Sequence, residues 1–268
     1  MSKAKALLIA GFPNTGTTIT AMILGQHPDA FAAGELAHFP DKRHFADHNI
    51  CSCGGKVKDC AFWLDIRERY SAETKDDARL YDLIAEASGR GRVIDVAHDM
   101  ERVEAVAANP SLDLKVIHMV RKRQAVLNSR LRRLYGRGIV SAYRPKRVQK
   151  IVKVGRRHQQ FLGRMDKVRN RLGDTCLEVD YDALCTEPGT WLARIGGFLE
   201  LDLDTVAAGL EAGEPLAPVP HLLRGNGRLR RLDSVLVRRD AGYEDELSAV
   251  DQWLYEVGAR VARLGVAW

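Results

Sequence analysis

Residues 5–18 read KALLIAGFPNTGTT. The run that ends at Gly11 is short and nearly all apolar, the pattern of a strand buried on both faces of a parallel sheet. Gly11 and Gly16 then stand in the G-x-x-x-x-G spacing of a phosphate-cradling loop. Residues 17–26 have helical content, so the loop joins a strand to a helix N-terminus. In that setting backbone N–H groups converge on an anion and the helix dipole adds positive potential. The hydroxyls of Thr17 and Thr18 are further donors. The nucleotide-hydrolysing form of this loop continues with a lysine that neutralises the β- and γ-phosphates. Thr17 occupies that position here, which argues for phosphate binding without NTPase or kinase chemistry. A ligand-free turn of the same spacing is the alternative.

Outward from this loop, strand and helix patterns alternate. Apolar runs at 92–97 (RVIDVA), 115–120 (KVIHMV) and 175–179 predict further strands. Amphipathic spacing predicts helices at 76–87, 100–108, 123–135, 144–172, 190–199 and 245–264. Such alternation implies an α/β fold, a P-loop-type three-layer α/β/α arrangement with a central parallel sheet. There is no internal repeat or low-complexity linker, so residues 1–268 read as a single domain with insertions near 38–63 and 216–239. The composition, 46% hydrophobic and 28% charged, excludes wholesale disorder and fibrous classes. No apolar run approaches the ~18 residues of a membrane span. Residues 6–12 read as a strand and not as a signal peptide, and five cysteines do not make a disulfide scaffold. The expected location is cytoplasmic.

The formal charge of +6 is unevenly spread. Of 41 Lys/Arg, 18 fall in residues 121–171, with only Asp166 of the 35 acids, so that segment carries +17 and the remainder −11. A smaller basic cluster spans 224–239. A solvated helix face is one reading of such a run. Like charges at helical spacing repel, so an anion is the other: an anionic cofactor, an acidic acceptor, nucleic acid or a charged membrane surface. Arg121 closes the third apolar run, and Ser129 follows eight residues later on a predicted helix. An arginine fork and a hydroxyl at that spacing form a second anion site. With the first loop they suggest a nucleotide bearing two separated phosphate groups.

These stretches together resemble the sulfotransferases that use 3′-phosphoadenosine 5′-phosphosulfate (PAPS), in particular a bacterial branch similar to carbohydrate and tyrosylprotein sulfotransferases. The family's P-[KR]-[ST]-G-T-T loop is matched by PNTGTT at 13–18, and its strand-Arg-Ser motif by KVIHMVRKRQAVLNSR at 115–130. VDYDAL at 179–184 and HLLRGNGRLR at 221–230 are similar to two later motifs. The resemblance implies that Pro13, Asn14, Thr15, Gly16, Thr17 and Thr18 hold the 5′-phosphosulfate. It implies that Arg121 and Ser129 hold the 3′-phosphate, that Tyr181 lies near the adenine, and that Gly225, Asn226 and Arg230 close over the nucleotide. The implied activity is in-line transfer of the sulfuryl group to a hydroxyl or amine, releasing adenosine 3′,5′-bisphosphate (PAP), with no metal required. Glu35, in an A-G-E segment, is the first candidate for the base that takes the acceptor's proton. His98 is the second and His38 a weaker third. Two departures stand out: Asn14 replaces the loop's lysine or arginine, and the lysine of the second-strand segment is absent around His98. The alternative is a non-catalytic nucleotide- or nucleic-acid-binding protein that uses the basic 121–171 segment. Nucleic acid is the poorer fit, because only Tyr135, Tyr143 and Phe161 are interleaved with those cations. The acceptor is expected to be a small molecule or glycan, and the excess of cations points to an acidic acceptor, a charged membrane surface or an acidic partner chain, among which the sequence does not choose.

The insert carries Cys51, Cys53 and Cys60, with His44 and His48 upstream. Three thiols and a histidine suit tetrahedral zinc; a disulfide or three reduced thiols are the alternatives. Cys176 reads as a core position on the fourth strand, and Cys185 follows it in the YDAL segment.

Overall fold

The computed structural model describes residues 4–37, 39–41, 44–70, 76–136, 145–223 and 233–265. Its frame is a five-stranded sheet of order β2-β3-β1-β4-β5 in which every pairing is parallel. The strands are β1 (Lys5–Gly11), β2 (Ala30–Gly34), β3 (Arg92–Ala97), β4 (Asp113–Val120) and β5 (Cys176–Asp180). The helices, in chain order, are α1 (Thr17–Leu24), α2 (Ala61–Arg69), α3 (Asp77–Ser88), α4 (Met100–Ala107), α5 (Arg123–Tyr135) and α6 (Pro145–Leu172). They continue with α7 (Tyr181–Thr186), α8 (Pro188–Leu199), α9 (Asp204–Glu211), α10 (Tyr243–Glu246) and α11 (Ala249–Arg263).

The period-two pleat of β1 divides the core. Leu7 and Ile9 pack with Ile94, Val96, Ile117 and Met119 against α1 and α8 on one face. Leu8 and Ala10 pack with Met100, Val103, Phe161 and Met165, from α4 and α6, on the other. This is the expected three-layer α/β/α arrangement. Because the strands are parallel, their C-terminal ends share one edge. β1 lies between β3 and β4, so successive crossovers leave in opposite directions from it, and a crevice opens there.

Two features depart from the sequence reading. β2, with sequence AFAAG, was not expected, since alanine has little strand propensity. It forms by tertiary pairing: Phe31 aligns with Val93 of β3, and Gly34 bridges to Leu223 on its outer side. The helix expected at 245–264 is broken into α10 and α11, where the Ser248 side chain caps α11 by accepting from the Asp251 N–H.

The basic helix α6 is amphipathic, burying Ile151, Val154, His158, Phe161, Met165 and Val168 at three- and four-residue spacing. It meets α11 at backbone contact. A Cβ added at Gly155 would lie 2.0 Å from the Tyr255 carbonyl, and one at Gly258 would lie 2.0 Å from that of Val152. Among the described residues no helix is long and apolar enough to cross a membrane.

Candidate active site

The loop after β1 turns at the strand ends. The Thr15 N–H and hydroxyl both donate to the Phe12 carbonyl, at 3.2 and 2.8 Å. This closes the turn and leaves Asn14 at φ 78° and Gly16 at φ 93°. Gly16 is required twice over: its backbone is left-handed, and a Cβ there would fall 2.0 Å from the Tyr181 ring. Thr15 and Thr17 are buried, and Pro13, Asn14 and Thr18 are half-buried. Asn14 Nδ2 is buried with no partner among the described residues. An unmatched donor in this loop fits an incoming anion, since it otherwise carries a desolvation cost.

The second anion motif lands beside the first. Arg121 follows β4, and its side chain is 7% exposed. Its guanidinium lies over the Tyr181 ring at 4.9 Å, a cation–π contact. Nε donates to Asp182 Oδ1 at 3.1 Å, Nη1 to the Asn14 carbonyl at 3.4 Å and Nη2 to the Asp240 carbonyl at 3.3 Å. Tyr181 thus joins the two sites, with Gly16 on one side and Arg121 on the other. Burial pushes its phenol pKa up, so it stays neutral. Ser129 is half-buried two turns along α5. His38, Gly225, Asn226 and Arg230 lie outside the described residues.

Glu35 and His98 come together at the ends of adjacent strands β2 and β3. His98 Nε2 is 3.6 Å from Glu35 Oε1. His98 Nδ1 is 2.8 Å from the Gly11 carbonyl. A carbonyl only accepts, so Nδ1 carries the proton and Nε2 is turned toward Glu35. The histidine is thereby fixed to the first residue of the phosphate loop. Behind this pair sits Asp95, fully buried in β3. It accepts from the Leu36 N–H at 3.0 Å, the Tyr81 hydroxyl at 2.9 Å, and Arg102 Nη2 at 2.8 Å. Arg102 in turn reaches Asp77 at 2.5 Å. The main chain on the other side of Glu35 is held too, since its N–H donates to the Leu223 carbonyl at 2.9 Å. An acid inside RVIDVA was the visible sign of this support, although its partners could not be read from the sequence.

A cleft of about 520 Å³ opens from the same point. Phe12, Pro13 and His98 line it together with Arg130 and the α6 residues Lys150, Lys153, Arg157 and Arg164, and Asp99 and Glu101 are the acids in the lining. Much of the basic segment proves to be matched internally. Arg123 pairs with Glu256, Arg132 with Asp240 and Glu246, Arg147 with Asp251, Arg164 with Glu104, and Arg169 with Glu178. Arg130, Lys150, Lys153 and Arg157 have no ion-pair partner among the described residues. The two readings of the run thus divide by residue: some of its arginines are paired within the chain, and these four cations lie in the cleft.

The chain was compared with known proteins. No curated protein sequence matches it. By structure it is similar to the sulfotransferase domain of the Synechococcus PCC 7002 olefin synthase (TM-score 0.58, 18% identity, 100% of this chain and 97% of that one). It is also similar to the sulfotransferase domain of the curacin biosynthetic pathway (TM-score 0.54, 17% identity, 99% of each chain). A mouse sulfotransferase crystallised with PAP aligns with TM-score 0.55 and 12% identity over 99% of this chain and 90% of that one. At these identities the likenesses speak for the fold. The family is carried by the sequence: the model described as "Sulfotransferase family" matches residues 6–205, which include the loop, Glu35, His98, Arg121 and Tyr181. This chain belongs to the sulfotransferase family.

Proposed function

We propose that this sulfotransferase moves the sulfuryl group of PAPS to a hydroxyl or amine of an anionic acceptor seated in the cleft beside His98. One observation carries the reading: the phosphate loop, the Glu35–His98 pair and the four unmatched cations converge at Pro13 and His98.

In this reading the loop amides of residues 14–18 and the Asn14 Nδ2 donor bind the 5′-phosphosulfate, and Arg121 with Ser129 binds the 3′-phosphate. Tyr181 is the apolar floor between them, and Gly225, Asn226 and Arg230 close the nucleotide side. The acceptor oxygen attacks sulfur in line, the bond from sulfur to the 5′-phosphate oxygen breaks, and the acceptor's proton passes to Glu35. His98 orients the carboxylate and stabilises charge at the transferring group. A sulfuryl group carries less negative charge than a γ-phosphoryl group, so the step needs no metal ion. Arg121, whose Nη1 reaches the Asn14 carbonyl, supplies the positive charge that Asn14 lacks, with help from the cleft cations.

The test is transfer of labelled sulfate from PAPS to a panel of matched acceptors, sulfated, phosphorylated or carboxylated against neutral. The expected result is preference for the anionic members, with KM rising as salt screens the cleft and rising again in Lys150→Glu and Lys153→Glu. Preference for neutral phenols or alcohols, with a salt-independent KM, would overturn the acceptor class. Stabilisation by PAP well above that by ATP or AMP reports on the nucleotide site separately.

A further inference from the structure

We propose that Cys51, Cys53, Cys60 and His221 form a structural zinc site that clamps the insert to the chain segment supporting Glu35. The ligand atoms of these four residues all lie within 4.8 Å of one another. Cys60 Sγ is 3.3 Å from His221 Nδ1, Cys51 Sγ is 3.8 Å from the same nitrogen, and Cys53 Sγ is 3.9 Å from Cys60 Sγ. Tetrahedral zinc, with bonds of ~2.3 Å to sulfur and ~2.0–2.1 Å to nitrogen, places its ligands ~3.5–3.8 Å apart. The three contacts bracket that value before any ion draws them in. Three thiolates and one imidazole complete the shell, so the site has the closed donor set of a structural centre with no open position for chemistry.

The local structure is built to present these donors. Cys51 and Cys53 lie on a tight turn in which the Cys51 N–H donates to the Gly55 carbonyl at 2.8 Å and Gly54 takes φ 96°. Cys60 is the residue that precedes α2. His221 is held in a left-handed backbone conformation, φ 56°. Its ring stacks on Phe62 at 4.6 Å, and its carbonyl accepts from Trp63 Nε1 at 2.9 Å. The Ser52 hydroxyl donates to the Val219 carbonyl and accepts from the Leu222 N–H, at 2.7 and 2.8 Å. The contacts of the His221 ring and carbonyl and of the Ser52 hydroxyl tie the insert to 219–222. His44 and His48, the histidines nearest in sequence, are not in the cluster; His221 takes the fourth position.

A disulfide accounts for these residues less well. Any one bridge would leave a third thiol and the imidazole crowded against it, and the cysteines are all free in the structure. The consequence reaches the active site. Two residues beyond His221, Leu223 pairs with the end of β2: its N–H donates to the Ala33 carbonyl at 2.7 Å, and its carbonyl accepts from the Glu35 N–H. The metal would fix the strap that holds the proposed base.

The experiment measures metal in the full-length protein, purified without chelator, by elemental mass spectrometry. The expected result is one zinc per chain, lost in Cys60→Ser and His221→Asn and retained in Cys176→Ser. Because the ligand variants could fail to fold, the wild-type chain is also loaded with Co(II). A tetrahedral thiolate site then gives intense visible ligand-field and sulfur-to-metal bands. Wild-type protein without zinc that also lacks those bands, or an intact mass showing a Cys53–Cys60 disulfide, would overturn the proposal. None of these readouts depends on turnover, so they stand or fall independently of the acceptor reading.

Discussion

Replacing Asp95 by asparagine separates the support of the proposed Glu35–His98 pair from the proposed nucleotide site. The Asp95 side chain is 0% exposed, and it faces Arg102, which is 11% exposed. Removing one partner of a buried ion pair costs ~3–5 kcal/mol when the other charge is stranded. Arg102 is not fully stranded, because it keeps Asp77 at 2.5 Å. We therefore expect the loss to fall at or below the lower bound, ~2–3 kcal/mol. At ~2–4 °C per kcal/mol for a chain approaching this size, the melting temperature should drop by ~4–12 °C. The asparagine oxygen can still accept from the Leu36 N–H, but its NH2 group then opposes Arg102, which can only donate, and takes from the Tyr81 hydroxyl the acceptor of its own hydrogen bond. Relief requires the side chain or the 35–36 backbone to move. A displacement of ~1 Å at a reacting group is worth up to ~100-fold in rate, so kcat should fall ~10-fold or more. PAP affinity should hold, because neither Arg121 nor the loop touches Asp95. Thermal melting, calorimetric titration with PAP and steady-state turnover measure the three quantities. A melting temperature within ~1 °C of wild type would refute the ion-pair reasoning. PAP affinity falling in step with kcat would refute the separation of the two sites.

Three further outcomes are expected. Arg121→Ala should weaken PAP by ~1.5–3 kcal/mol, roughly 10- to 150-fold in Kd, through loss of a charge-assisted contact; an unchanged Kd in calorimetry contradicts the 3′-phosphate role. Glu35→Gln should lower kcat by ~100-fold or more with PAP affinity intact, whereas the same loss in His98→Ala alone would exchange the two roles. His158, stacked on Phe12 at 4.6 Å and bonded to the Tyr255 hydroxyl, has its pKa lowered from 6.5 to about 4 by burial, with Arg123 and His118 adding to the effect. The folded state then binds fewer protons than the unfolded state, so this contribution is full above pH 6.5 and is lost as pH falls from there through about 4. Melting temperature measured across that window should decline, and decline less in His158→Gln.

What the sequence reveals is what is local. β1, β3 and β4 are readable because strands buried on both faces are continuous apolar runs, and the phosphate loop is readable because its glycines sit between a strand and a helix. Arg121 and Ser129 follow from the same logic at β4. The proximity of Glu35 and His98, ranked from the sequence as first and second candidates, could not be read, because they meet only through the pairing of β2 with β3, and AFAAG does not announce a strand. The structure also changes the question: the two side chains are 3.6 Å apart, so the proposal gives them linked roles. His221 was hidden for a similar reason, since it reaches Cys60 across 161 positions of sequence while His44 and His48 lie nearby and do not take part. Tyr181 was singled out only through the family resemblance, and its contact with Gly16 requires knowing that β5 ends beside the loop.

The basic segment shows why a run of charge is not itself a site. Two unit charges one Debye length apart, ~8 Å, repel in water by about 0.5 kcal/mol before screening. A folded chain tolerates several such pairs, so repulsion along 121–171 does not demand an external anion. It is further reduced by acids from distant elements: Glu104 on α4, Glu178 on β5, and Glu246, Asp251 and Glu256 on α10 and α11 each neutralise an arginine of α5 or α6. Among the cations that this arrangement passes over, Arg130, Lys150, Lys153 and Arg157 line one cleft, where low-dielectric surroundings focus their field. His98 and Pro13 line the same cleft, which is where the proposed reading seats the acceptor. Position relative to the reacting centre, and not net charge, is what makes an anionic acceptor the sharpest reading of this chain.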